Sequence, residues 1–266
     1  MYVIEAAGLG TFMLVAALAD AALESHRSPL HLLIASALLR RVLMGLAMGA
    51  TAIGLIYSPW GARSGAHFNP ALTLIFTLLG KIGLFDAGMY ACAQFAGGTG
   101  GVVLAHLIAG SALAEPPVSF AVTVPGMYGV AASFWMEVLI SAILMGTTLW
   151  ASNRPRLMRY TGLLCGTLIV LFIIFEAPIS GMSMNPARSV ASAVPSAIWT
   201  AMWLYFTAPV LGMGLAALLY SAWMSAGPVA CAKLNHDTEA PCPFRCHFKA
   251  RGIHVPSLIR GARIPE

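Results

Sequence analysis

Residues 64–71 read Ser-Gly-Ala-His-Phe-Asn-Pro-Ala, and residues 180–187 read Ser-Gly-Met-Ser-Met-Asn-Pro-Ala. The two octapeptides share Ser-Gly-x-x-x-Asn-Pro-Ala without a gap. The chain has only four asparagines, Asn69, Asn153, Asn185 and Asn235, and two of them open this tripeptide with the same flanks, which marks an internal repeat. The tripeptide also has mechanics of its own. Asparagine is a favoured N-cap, proline fits the first helical position where its missing N–H costs nothing, and alanine is the best helix former. Each motif therefore starts a helix, at Asn69-Pro70-Ala71 and at Asn185-Pro186-Ala187.

The surroundings say where those helices sit. The chain has 266 residues, 59% hydrophobic and 9% charged, with mean hydropathy +0.80, against about 45–50% apolar and about 25% charged in a typical soluble domain. That composition excludes a soluble globular enzyme, a disordered chain and a disulfide-stapled module. Crossing about 30 Å of hydrocarbon takes roughly 20 apolar residues. Such stretches run near 2–24, 38–57, 83–110, 129–151, 160–177 and 199–224. The first lacks a basic n-region and carries Glu5 and Asp20, so it reads as a retained span and not a signal peptide. The stretches 69–79 and 185–194 are too short to cross, at roughly 16 Å each.

Three spans separate the two motifs, an odd number, so the halves (about 1–110 and 128–226) insert with opposite topology. The expected fold is all-α: six transmembrane helices plus two re-entrant half-helices in an inverted repeat, as a channel domain over residues 1–226. The half-helices would enter from opposite faces and meet near the midplane, each bringing about half a positive charge. Irregular backbone at that depth is tolerated only in protein or beside a wet cavity, so the Ser-Gly segments should expose carbonyls to a pore. Each copy also has an intramembrane acid upstream, Glu5 and Glu137, and such groups need partners.

Orientation follows from the fifteen Lys and Arg. Arg63, Lys81, Arg154, Arg156, Arg159, Lys233, Arg245, Lys249, Arg251, Arg260 and Arg263 fall on one side, and Arg27, Arg40, Arg41 and Arg188 on the other. The positive-inside rule then places both termini in the cytoplasm, with the inner (plasma) membrane as the expected location. Arg40 and Arg41 run against the bias and are expected to snorkel to the headgroups. The basic tail, residues 227–266, is attracted to anionic lipid. No stacking aromatics or recognition helix accompany its charge, so a nucleic-acid partner is not expected.

These residues resemble the aquaporins, or major intrinsic proteins, of bacterial type, over roughly residues 1–225. The resemblance rests on both Asn-Pro-Ala motifs with their Ser-Gly flanks, Arg188 after the second, Gln94, Gly97 and Gly101 in the third span, Glu137 in the fourth, and Tyr205 and Pro209 in the sixth. It implies one pore per subunit, usually in a homotetramer, conducting water and small neutral solutes without a cofactor. Asn69 and Asn185 would donate to a passing solute oxygen and, with the helix N-termini, break a proton wire. Arg188 would be the cationic member of a narrow filter. Its partners by resemblance are Met182, Ile173 and either Met48 or Gly49. Glu5 and Glu137 would accept hydrogen bonds from the re-entrant loops. His67 would pack beside the pore, with a pH gate as the other reading.

Two features depart from the pattern. The filter set lacks the histidine and aromatic usual in water-selective relatives, and Ser189 replaces the Asp usual in glycerol-conducting ones. Such a constriction should reject charge strongly but discriminate weakly among water, ammonia, glycerol and neutral metalloid hydroxides. Glu176 adds an acid near the outer mouth. In the tail, Cys231, His236, Cys242, Cys246, His247 and His254 fall within 24 residues. Cys242, Cys246 and His247 are candidate zinc ligands; free thiols or a surface-bound basic segment are the other readings. Glycine pairs 45/49, 97/101 and 162/166 read as helix-packing sites. The competing class is a secondary transporter, which also uses inverted repeats with broken helices but needs an ion-coupling site and alternating access. No nucleophile, base and orienter group together, so an enzyme is not expected.

Overall fold

The computed structural model describes residues 1–223, 229–236 and 238–248. Among them, six helices are long and apolar enough to cross a membrane. Eight helices build the body: α1 Tyr2–Glu24, α2 Ala37–Tyr57, α3 Pro70–Leu78, α4 Leu84–Ala109, α5 Gly129–Ser152, α6 Thr161–Phe175, α7 Pro186–Ser196 and α8 Met202–Trp223. The half-helices α3 and α7, with 9 and 11 residues, begin at the two prolines.

The long helices pack in pairs, α1 with α4, α5 with α8, and α2 with α6. Small residues let the backbones touch. A Cβ on Gly97 of α4 would lie 2.0 Å from the Ala6 carbonyl oxygen, and one on Gly212 of α8 would lie 2.1 Å from that of Val138. Ala6 follows Glu5 and Val138 follows Glu137, so the same close crossing occurs in both halves. Near-contact of backbones at small residues is how helices associate where lipid offers no hydrophobic drive.

The face that carries residue 1 and the tail is called here the tail face, and its opposite the far face. On the far face Arg27 pairs with Glu115 at 2.9 Å. Arg40 does not snorkel. It is buried, its Nε lies 3.1 Å from both carboxylate oxygens of Glu24, and its Nη1 donates to the Ile34 and Ala35 carbonyls at 2.8 and 3.3 Å. An acid partner and two accepting carbonyls hold the guanidinium inside the protein in place of a headgroup. On the tail face, the described tail residues 229–236 and 238–248 fold back onto the body: the Arg245 amide donates to the Lys81 carbonyl at 3.1 Å and the Leu234 amide to the Gly65 carbonyl at 3.2 Å.

A central cavity between two crossed helix caps

The two re-entrant loops share one backbone path. Gly65 and Gly181 have φ of 98° and 82°, Ala66 and Met182 have 59° and 50°, and Phe68 and Met184 have 47° and 53°. Left-handed conformations at non-glycine residues cost of order 1–3 kcal/mol each and persist only where the surroundings over-determine them. Here buried carboxylates supply that determination. Glu5 Oε1 accepts from the Ser64 hydroxyl (2.7 Å) and the His67 amide (3.1 Å), and Oε2 from the Phe68 amide (2.6 Å) and Gln94 Nε2 (2.8 Å). Glu137 Oε1 accepts from the Ser180 hydroxyl (2.8 Å) and the Ser183 amide (2.6 Å), and Oε2 from the Met184 amide (2.7 Å). Tyr90 and Tyr205 each donate a 2.6 Å bond to the carbonyl of the corresponding serine, Ser64 and Ser180.

At the end of each loop an asparagine caps its helix. Asn69 Oδ1 accepts from the Ala71 and Leu72 amides at 2.9 and 3.4 Å, and Asn185 Oδ1 from the Ala187 and Arg188 amides at 3.0 and 3.3 Å. The side-chain nitrogens cross over. Asn69 Nδ2 donates to the Met184 carbonyl and Asn185 Nδ2 to the Phe68 carbonyl, both at 2.7 Å. An amide nitrogen has two hydrogens. One on each asparagine is spent on the opposite loop, leaving the second for whatever occupies the centre.

Asn69 and Asn185 line a cavity of about 810 Å³ that reaches Asp20, Glu24, Arg41 and Ile198 toward the far face and His67, Cys165 and Leu234 toward the tail face. Its wall includes Arg188, Met48, Ile173 and Met182. Gly49 faces elsewhere, since a Cβ there would meet the Gly166 carbonyl oxygen of α6 at 2.7 Å. Arg188 Nη1 is buried without a hydrogen-bond partner among the described residues, as are both carboxylate oxygens of Glu176. Asp20 and Arg41 are wall residues that the sequence reading did not place in the cavity. Leu9, Phe12, Ala16, Asp20 and Leu23 recur every three or four residues along one stripe of α1, a spacing that an apolar span does not set apart from its lipid side.

His67 sits where the tail meets the cavity. It is buried, with Nδ1 3.0 Å from Thr73 Oγ1 and Nε2 2.9 Å from the Ala232 carbonyl of the tail. Its ring lies between those of Phe76 and Phe244, at 5.3 and 5.1 Å. In the tail, Cys231, His236, Cys242 and Cys246 converge, whereas His247 turns away and its Nδ1 lies 3.4 Å from Lys81 Nζ. The candidate trio Cys242, Cys246 and His247 is therefore corrected: adjacent residues 246 and 247 face different neighbours, and His236 and Cys231 complete the group. Hydrogen bonding with Cys231 holds the Cys242 and Cys246 thiols below the usual thiol range, while the same bonds push Cys231 above it. His254 lies outside the described residues.

Fold and site together define a helical membrane protein with an inverted repeat, whose two half-helices cap a central cavity. The family described as major intrinsic protein matches residues 3–220. The chain belongs to that family. It is 35% identical over 179 residues to Aquaporin NIP1-4 of Oryza sativa subsp. japonica, covering 67% of this chain and 63% of that protein. It is 33% identical over 188 residues to Aquaporin TIP4-3 of Zea mays, covering 70% and 74%. The chain spans 58% to 63% of the length of the first three curated relatives it matches. Among solved structures, the aquaglyceroporin from Plasmodium falciparum superposes with a TM-score of 0.69 at 19% identity, covering 84% of this chain and 96% of that one. That likeness is one of fold.

Proposed function

We propose that this protein is a passive channel for water and other small neutral solutes, and not an enzyme. The observation that carries the reading is the set of spare donors on one continuous cavity: the second amide hydrogens of Asn69 and Asn185, and Arg188 Nη1. A water accepting from two fixed amides must turn its own hydrogens outward, which interrupts proton hopping. Two helix N-termini and an arginine repel cations along the same path. The preformed cavity and the absence of an acidic pair at its centre, among the described residues, favour this over the alternating-access transporter.

The filter is Arg188 with Met48, Ile173 and Met182, and three apolar walls give it little power to sort neutral solutes, so ammonia, glycerol and metalloid hydroxides belong with water as cargo. Six spans and the distribution of Lys and Arg support an inner-membrane protein with both termini in the cytoplasm, which makes the tail face cytoplasmic. Family membership supports a homotetramer, to be measured by native mass spectrometry. Residues 1–226 form the channel domain. The deciding experiment is light scattering on liposomes carrying the purified chain, comparing water, glycerol and urea while internal pH is followed. Unsaturating flux with sealed protons is expected; saturating, ion-dependent flux would favour the transporter, and proton leakage would sink the central mechanism.

A further inference from the structure

The tail brings one nitrogen and three sulfurs to a single point. Cys231 Sγ, His236 Nε2, Cys242 Sγ and Cys246 Sγ all lie within 4.8 Å of one another. Cys231 Sγ is 3.3 Å from Cys242 Sγ, and His236 Nε2 is 3.2 Å from both Cys231 Sγ and Cys246 Sγ. A tetrahedral zinc centre with bonds of about 2.3 Å to sulfur and about 2.0 Å to nitrogen has ligand atoms roughly 3.5–3.8 Å apart, within about half an ångström of these three short separations and inside the 4.8 Å that bounds the rest. A disulfide needs about 2.05 Å and would use only two of the four. Three thiolates and one imidazole form a ligand set suited to a borderline-soft divalent ion.

The surroundings hold this arrangement in place. Met158, Ala230, Cys231 and Phe248 form an apolar cluster against the body, and the His236 ring leans on Phe248 at 4.9 Å. The Ala230 amide donates to Asn153 Oδ1, and the His247 amide donates to the Ala230 carbonyl at 2.9 Å. Between the ligands Cys231 and His236 the chain arches into the mouth of the cavity. There the Ala232 carbonyl meets His67 Nε2, the Leu234 amide meets the Gly65 carbonyl, and the buried Leu234 side chain lines the cavity wall.

We infer that Cys231, His236, Cys242 and Cys246 bind one Zn²⁺, and that the occupied site holds the 232–234 arch in the mouth so that metal occupancy lowers conduction. Binding releases the protons of the thiols to solvent as three sulfur–metal bonds form, with no change of oxidation state. A Cys₃His site closed on all four corners is a structural centre that fixes chain geometry. Because two of its ligands bracket the arch, losing the ion frees both ends of that arch. The metal site stands on the cluster alone; its effect on conduction rests on the channel reading.

The test uses the full chain purified with Zn²⁺ and without chelator. Elemental analysis is expected to give one zinc per chain, retained in His247→Ala and lost in Cys242→Ser/Cys246→Ser. Replacement by Co²⁺ should produce thiolate charge-transfer bands and tetrahedral d–d bands in the wild-type chain, a readout that does not depend on any variant folding. Substoichiometric zinc without a cobalt spectrum, or a Cys231–Cys242 disulfide in protein kept under cytosolic redox conditions, overturns the site. In liposomes, water permeability should rise several-fold when a strong chelator strips the wild-type chain and fall again on adding Zn²⁺, while the double variant stays at the high level. Stoichiometric zinc with identical permeability in both states overturns the gate and leaves the channel reading standing. Protein that conducts in neither state overturns the channel reading and the gate with it, while the zinc content still decides the site.

Discussion

The loop of residues 64–69 and the loop of residues 180–185 follow the same backbone path, hang from equivalent glutamates and cap equivalent helices, yet they are finished for different tasks. Glu5 receives a fourth bond from Gln94, whereas the matching place on α8, four residues after Tyr205 as Gln94 is four after Tyr90, holds Pro209. His67 receives the tail where its counterpart Ser183 bonds instead to Ser189 at 2.6 Å. After the caps, the first half has Leu72 and the second has Arg188. The duplicated parts are those that place the two amides; the parts that differ face opposite mouths, one charged and one covered by the tail. Scaffold and specialisation are separable here, residue by residue.

The largest expected effect tests the carboxylate supports. Glu5→Leu leaves four donors unpaired and should cost about 4 kcal/mol or more, with Glu137→Leu, which strands three, about 1 kcal/mol milder. Thermal unfolding in detergent ranks them, and the reverse order would remove Gln94 from the account. Next come the two tight crossings. Gly97→Ala and Gly212→Ala each push a Cβ against a carbonyl oxygen and should each destabilise by roughly 1–3 kcal/mol. Equal losses are expected from the same unfolding experiment, and a large inequality would mean that the helix pairs are not equivalent.

Arg188→Val should raise the glycerol-to-water permeability ratio on the order of tenfold and leave folding intact, while Leu72→Val at the matching position of the first half should change it less than about twofold. Stopped-flow light scattering on both variants checks this, and equal responses would mean that the two mouths are not specialised as described. A smaller effect than that of Arg188→Val is expected of Met182→Ala, which widens the same cavity wall and should raise the ratio by only about two- to threefold. No change at all would take Met182 out of the constriction.

The half-helices were readable because their code is local. Asn, Pro and Ala act within three residues of one another, and α3 and α7 start at Pro70 and Pro186. The spans were legible from length and apolarity, to within about three residues at the start of α8, where 199 was expected and Met202 is found. The cavity wall was not. In a membrane helix the lipid side and the protein side are both apolar, so the stripe through Leu9, Phe12, Ala16 and Asp20 has no polar face to set it off. In sequence, Asp20 therefore reads as a feature of the span and not of the wall. The tail failed for another reason. Adjacency in sequence favoured His247, but a ligand set is chosen by three-dimensional approach, and His236 arrives from ten residues before Cys246. Arg40 departs from the snorkelling expectation because its carbonyl partners at Ile34 and Ala35 belong to a connection whose path only the fold reveals.

The crossed asparagines also set an order of events during synthesis. Asn69 needs a carbonyl 115 residues further along the chain, so the first re-entrant loop emerges from the ribosome with its keystone still unmade. Until Met184 has been translated and its half inserted, that loop must wait in the bilayer with Glu5 as its chief anchor. The crossed pair therefore closes only when the second half arrives and each asparagine finds the other half's backbone.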